Sequence, residues 1–356
     1  MTEQRRGRAH PAKSELLILS VLGLFMMTAP ASTDMYLPAL VVVGRDLRAT
    51  PGEIQLTLAY FFLGFASGQL VWGALSDRYG RRLPMAAGIL LYIFSSTGCA
   101  LATDVDAMKA WRFVEAFGGC AMPVIAQAMA RDIYGHDGSA RAFSLMLLVM
   151  AIAPIMSPLL GALVLHIAQW RVIFWILAAF GILALAGLAS LPETLPYSRR
   201  ATAGWGGFAR SYWVLLRDAR FLGYALSSAA MSGAAFAYIT GTPFVYMAYF
   251  GLSPQIFGLL FGLNIVGMAS MALVNSRIVG RQGYDRPLRF GMACGAFFAM
   301  TLALLQYLTL GGLAAVIVLL LCFMSVRGFV TANAVAGALA HHPQRTGAAS
   351  ALAGFF

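Results

Sequence analysis

Acidic side chains are scarce in this sequence: 14 aspartates and glutamates stand against 25 lysines and arginines, and only 11% of its 356 residues are charged. Soluble domains carry about a quarter charged residues, so a chain this poor in charge cannot clothe a globule of its size in a solvated surface. Long polar stretches are missing too, which excludes a sizeable soluble module. Cysteine is rare. Cys99, Cys120, Cys294 and Cys322 all lie inside apolar runs without CxxC spacing, so buried free thiols are expected rather than a disulfide frame or metal site. No group of His, Asp and Glu occurs inside the apolar runs, as a membrane enzyme would need, and no cofactor motif is present. His136, His341 and His342 fall in polar connectors, where solvation explains them.

What the sequence does contain is hydrocarbon. Apolar residues make up 60% of it, with a mean hydropathy of +0.76. Runs of the roughly 20 apolar residues that cross a bilayer lie near 15–39, 54–75, 83–103, 108–130, 140–166, 171–191, 220–248, 256–277, 287–309 and 311–338. These predict an all-α polytopic membrane protein with ten transmembrane helices. An eleventh begins at "TGAASALAGFF" and reaches Phe356 after about half a span. The first run, with "RRGRAHPAK" before it and "TAPAS" within it, has features of a secretory leader. Nine further runs without a soluble domain favour a retained helix. A membrane sensor would carry an output module, and none is visible.

The basic residues report orientation. With the N-terminus in the cytoplasm, 19 lysines and arginines fall on that side, while Arg45, Arg48, Lys109 and Arg171 fall on the other. Arg112 and Arg327 remain inside runs. The positive-inside rule therefore assigns a cytoplasmic N-terminus, and the basic surplus gives no ground for a nucleic-acid partner.

The longest polar interval, 192–220, separates six runs from the rest and should lie in the cytoplasm. It suggests an N-terminal six-helix bundle over 1–192, a linker over 193–219 and a C-terminal bundle, incomplete, over 220–356. A repeat supports this division. "LSDRYGRRLPMAAG" (75–88) overlays "IVGRQGYDRPLRFG" (278–291) at an offset of 203, matching Arg78 with Arg281, Gly80 with Gly283, Pro84 with Pro287 and Gly88 with Gly291. Parallel halves of this kind occur in a large class of secondary transporters.

In "FASGQLVWGALSDRYGRR", the residues Gly73, Asp77, Arg78, Gly80, Arg81 and Arg82 resemble the G-x-L-x-D-R-x-G-R-R signature of the major facilitator superfamily. Gly80 supplies an unrestricted backbone position, Asp77 is suited to pairing at a helix terminus, and the arginines suit an anionic membrane surface. "WRFVEAFGGCAMP" (111–123) resembles the fourth-helix motif, although Glu115 and Ala116 stand at its Gln-Gly step. "APIMSPLLG" (153–161) resembles the fifth-helix antiporter motif, with Pro154, Pro158 and Gly161 giving a kinked helix and a small-residue face. "WRVIFW" and "LPETL" match the borders of a sixth helix. "TDMYLPAL" together with "GQLVWGALSDRYGRR" is most similar to the Bcr/CflA branch of drug–proton antiporters, except for Ala74, where that branch often has Pro. The resemblance implies the major facilitator fold, with twelve helices, and a monomeric multidrug efflux protein of a bacterial-type inner membrane that confers antibiotic resistance. The chain's end within the eleventh helix opens the alternative of a transport-impaired fragment.

Asp34 is the residue that the apolar pattern does not explain. Charged groups inside spans are costly and usually face a cavity or a partner, and Pro30 and Pro38 flank this one in a helix they should distort. An acid so placed can take a proton on one side of the membrane and release it on the other, and each proton gains about 2.3 kcal/mol per 100 mV. The other reading places Asp34 among the outer headgroups. The resemblance makes Arg112 a second proton-coupling residue, against an arginine that snorkels to the interface. Glu115, one turn on, is suited to pair with it structurally.

Arg327 lies deep in the tenth run, suited to acidic substrate groups or to balancing a carboxylate. Gln69, Gln127, Asn264 and Asn333 are suited to helix–helix or substrate hydrogen bonds. Tyr36, Met122, Met150, Tyr238, Asn264, Arg327 and Asn333 are the candidate lining of a substrate cavity, since soft Met and aromatic surfaces suit promiscuous binding. The expected function is proton-coupled antiport of small hydrophobic or amphipathic drugs across the lipid bilayer, without cofactor or covalent chemistry. The alternative is a proton-coupled importer of a small metabolite.

Overall fold

A computed structural model of the chain describes residues 12–199 and 213–340, with positions 349, 352 and 354, and omits the side chains of 12–14, 135–151 and 199. The Met150 side chain, residues 200–212 of the expected linker and most of the eleventh run therefore lie outside what the structure describes. Among the described residues every regular element is helical.

The first span is broken twice. Helix α1 covers Ala12–Met26, α2 covers Thr28–Asp34, a single 3-10 turn covers Leu37–Ala39, and α3 covers Leu40–Asp46. The prolines account for both breaks. A proline removes the hydrogen bond to the carbonyl four residues earlier and crowds it. Met26 and Asp34, where α1 and α2 end, stand four residues before Pro30 and Pro38. The sequence predicts one run over 15–39, whereas the span extends to Asp46 and takes in Arg45.

Helix α4, Pro51–Tyr79, starts with a capping box between Thr50 and Glu53 and ends at Gly80, whose φ of 91° suits glycine. It is followed by α5 (Arg82–Ala100), α6 (Val105–Gly119), α7 (Ala121–Ile167) and α8 (Arg171–Ser190). Helix α9 runs over Ala219–Pro243 into a π-helical turn at Phe244–Tyr249, before α10 (Pro254–Gln282), α11 (Asp285–Tyr307) and α12 (Gly312–Ala340). Among the described residues nine stretches are long and apolar enough to cross a membrane, and the apolar part of α7, Ile152–Ile167, overlaps the expected 140–166 run.

Helix α7 continues as helical backbone for 47 residues, through the 131–139 interval expected to be a connector, while Cys120 interrupts the crossing over Val105–Tyr134. A straight helix would set Met122 and Gly161 roughly 58 Å apart at 1.5 Å per residue. Yet Met122 meets Thr28 and Gly161 lies against Met35, only seven positions along the first span. The segment therefore doubles back, and its two arms form separate crossings.

The repeat is repeated in the helices. Thr50 and Pro51 open α4 as Ser253 and Pro254 open α10, both helices have 29 residues, and Gly80 and Gly283 close them at positive φ. Gly88 of α5 packs on Ala121 and the Gly118 carbonyl, and its counterpart Gly291 of α11 packs on Phe329 and Val330 of α12. Helices α1 and α4 to α8 pack among themselves, as do α9 to α12, and α7 joins the two sets by packing along α10. Large apolar side chains such as Leu63, Phe94, Leu183, Leu259 and Met300 point outward, an arrangement suited to lipid and unsuited to water.

Candidate functional site

Asp34 sits at the second break of the first span and is only 7% exposed. The side chain is enclosed by protein rather than hydrated. Its carboxylate accepts one hydrogen bond, from the hydroxyl of the adjacent Thr33 at 2.9 Å. The 3-10 turn just beyond it packs against α9 and α10, so the broken segment lies where the two helix sets meet. Tyr238 of α9 is within electrostatic reach of the Asp34 carboxylate.

Arg112 does not pair with Asp34. It is fully enclosed, which removes the snorkelling reading, and its Nη1 donates to Glu115 Oε2 at 2.6 Å. Its guanidinium carbon lies 4.2 Å from the Phe61 ring centre, 4.9 Å from that of Tyr36 and 5.7 Å from that of Phe174. These three rings, from α4, the break after α2, and α8, form an aromatic cage that stabilises a cation through its π faces. Among the described residues, Arg112 Nε and Nη2 have no hydrogen-bond partner. Glu115, also fully enclosed, accepts from the Ser96 hydroxyl at 3.1 Å and from Cys99 Sγ at 3.8 Å. Tyr36 and Thr57 share a hydroxyl hydrogen bond at 3.2 Å, and Ser32 and Tyr92 share one at 2.8 Å. Asp34 and Glu115 are the only buried acids among the described residues.

In the second helix set, Tyr238 stacks on Phe261 and accepts a hydrogen bond from Asn264 Nδ2 at 2.9 Å. Asn264 Oδ1 and the nearby Tyr246 hydroxyl are buried without partners among the described residues. Arg327 on α12 is half-buried, pairs with no carboxylate among the described residues, and leaves Nε unpartnered.

Three candidate lining residues take other places. Tyr36 is sealed in the Arg112 cage, and Met122 is sealed against Thr28, whose hydroxyl donates to its sulfur. Asn333 donates to Asn275 Oδ1 at 2.7 Å and ties α12 to α10. Gln127 is exposed. Gln69 lies against Gly354. Cys99 and Cys120 are buried free thiols, and no metal-binding cluster occurs among the described residues.

The signature between α4 and α5 closes around Arg81. Its Nη1 donates to Asp77 at 2.5 Å and to Ser76 at 2.9 Å, and its Nε donates to Asp132 of α7 at 2.9 Å. Burial pulls the Arg81 guanidinium down, but the hydrogen bonds to Asp132 and Asp77 prevail and hold it above its ordinary value. Glu193 accepts from the backbone N–H groups of Arg81 at 2.8 Å and Arg82 at 3.1 Å, capping the start of α5. Arg78 and Arg82 project outward, and Gly73 packs near Val124. In α7, Gly161 packs on the Met35 backbone, while Pro158 and Leu159 meet Gly258 of α10. Sequence reasoning missed Asp132 and Glu193 as partners of the signature, while the pairing of Glu115 with Arg112 one turn away is the one it expected.

Broken helices and buried charged groups, in a bundle with an apolar exterior, define a multi-pass membrane protein of transporter type. The chain belongs to the Major Facilitator Superfamily, whose description it matches over residues 22–356. It is 31% identical over 343 residues to a bicyclomycin resistance protein homolog of Haemophilus influenzae, covering 96% of this chain and 86% of that protein. It is 33% identical over 288 residues to a chloramphenicol resistance protein of Pseudomonas aeruginosa, covering 80% and 68%. Its fold matches the nucleoside transporter NupG with a TM-score of 0.74 at 17% identity, covering 95% of this chain and 86% of that one.

Proposed function

We propose that this protein exports small hydrophobic or amphipathic drugs in exchange for protons, across an inner membrane and with its N-terminus in the cytoplasm. The observation that carries the reading is Asp34: a buried carboxylate with one weak neighbour, at a helix break against α9 and α10. Charged groups inside spans mark proton and substrate paths, and the names of the two resistance-protein relatives supply the drug. Near this break, the buried Tyr238–Phe261 stack and the spare Asn264 amide oxygen supply the apolar and polar groups that small-molecule sites combine, available to a drug once the halves part. Transport follows when the halves over 1–192 and 220–356, joined by the 193–219 linker, rock around that region as a monomer.

The test uses inverted membrane vesicles acidified inside. Drug addition should release protons from vesicles carrying the wild-type protein, and Asp34→Asn should reduce that release to the level of empty vesicles. Release that survives Asp34→Asn overturns the role of this acid, and drug uptake coupled to proton entry in right-side-out vesicles would favour an importer.

A further inference from the structure

We propose that Glu115 is a second proton-carrying acid of this protein, alternating between an ion pair with Arg112 and a neutral carboxyl held by Ser96. The proposal rests on the proton-coupled reading above and extends it to a residue that reading does not need.

The geometry of the pair is its starting point. Arginine has five donor hydrogens and forms its strongest pairs with carboxylates through two parallel hydrogen bonds. Arg112 meets Glu115 through Nη1 alone, and leaves Nε and Nη2 unsatisfied in a site closed to solvent. A permanent structural ion pair would be expected to satisfy its donors, because unpaired buried donors are costly. The donors left over mark a one-point pair that can open, with the aromatic cage still holding the cation when it does.

Glu115 is equipped for both states. Oε2 faces Arg112 and is the atom that takes the proton, which breaks the ion pair and forms an O–H bond. Oε1 keeps the Ser96 hydroxyl in either state. The titratable groups facing Glu115 are Arg112 on its own helix, Cys99 and Tyr92 from α5, and Tyr36 from the break after α2. Helices α4 and α8 offer Phe61, Thr57 and Phe174 around the cage, none of them charged. Arg112 is therefore the one cation at the carboxylate. Neutral Glu115 leaves Arg112 to its aromatic cage, and ionised Glu115 takes it back. A glutamine at this position, as in the fourth-helix motif the sequence resembles, could hold the arginine but could not carry the proton.

The chain has five glutamates, and Glu115 is the one sealed inside among those described. Infrared titration of the purified protein in lipid, grown with isotope-labelled glutamate, reads this group directly. A protonated glutamate band should appear and vanish with pH separately from the exposed glutamates, persist in Asp34→Asn and be absent in Glu115→Gln. In proteoliposomes supplied with bicyclomycin or chloramphenicol, Glu115→Gln should exchange one proton fewer per drug than wild type. If Glu115→Gln does not fold, the labelled wild-type protein still decides. A labelled protein in which every protonated glutamate band follows the exposed groups overturns the proposal and makes Glu115 a permanent counter-ion. Proton exchange indifferent to Asp34→Asn would instead overturn the Asp34 reading and leave the Glu115 band unchanged, so the two failures are distinguishable.

Discussion

At the scale of single residues, the polar side chains at membrane depth divide by whether their hydrogen-bonding capacity is used. Asn333 commits its amide nitrogen to Asn275 on α10 and to the Phe329 carbonyl of its own helix. Asn333→Leu should therefore lower stability by about 1 kcal/mol, the usual value for a polar tie between membrane helices, and leave drug transport intact. Thermal unfolding of the purified protein and transport in the same preparation check this together. A shift in substrate preference at unchanged stability would restore Asn333 to the cavity. Asp34, Arg112, Asn264 and Arg327 form the other class, with capacity to spare. Asp34 and Arg112 were legible in the sequence because a charge in an apolar run is conspicuous. Their separate environments were not, because burial and pairing depend on residues from α2, α4, α5, α6 and α8 together.

At the scale of helices, proline and glycine positions decide where the bundle bends and where it closes. Pro30 and Pro38 end α1 and α2 and set Asp34 at a break, and this link from sequence to local geometry is direct. The small residues of α7 act through contact. A side chain at position 161 would run into the Met35 backbone beside Asp34. Gly161→Leu should hold α7 off the first span and abolish drug-driven proton release, with an overpacking cost of about 1–3 kcal/mol in stability. Expression level and thermal unfolding, measured beside proton release, separate lost transport from lost folding. Normal proton release in this variant would show that the close approach of α7 is not required. The helical backbone through residues 131–139 was not legible, since the charged and glycine residues there read locally as a loop.

For the whole molecule, α7 and α10 form the principal seam between the two helix sets, with Leu159 and Gly258 in contact. The rocking proposed for the halves would change this contact. A disulfide between Leu159→Cys and Gly258→Cys, in a protein whose four native cysteines are replaced, should stop transport under oxidising conditions. Reduction should restore it. Transport at the wild-type rate with the cross-link formed would show that the halves do not separate along this seam.

Membrane residence, the positions of most crossings and the breaks at Met26 and Asp34 were determined by the sequence alone. Each depends on a property confined to a short window: about 20 apolar residues for a crossing, or a proline four positions on for a break. Partnership was decided by tertiary structure. Arg81 finds Asp132 51 positions away and its backbone N–H finds Glu193 112 positions away, while Asn333 reaches back 58 positions to Asn275. No local periodicity carries such distances. Even Arg112 and Glu115, one helical turn apart, owe their enclosure to aromatic rings from three other segments, because the burial that keeps water from a charge is a property of the packed bundle.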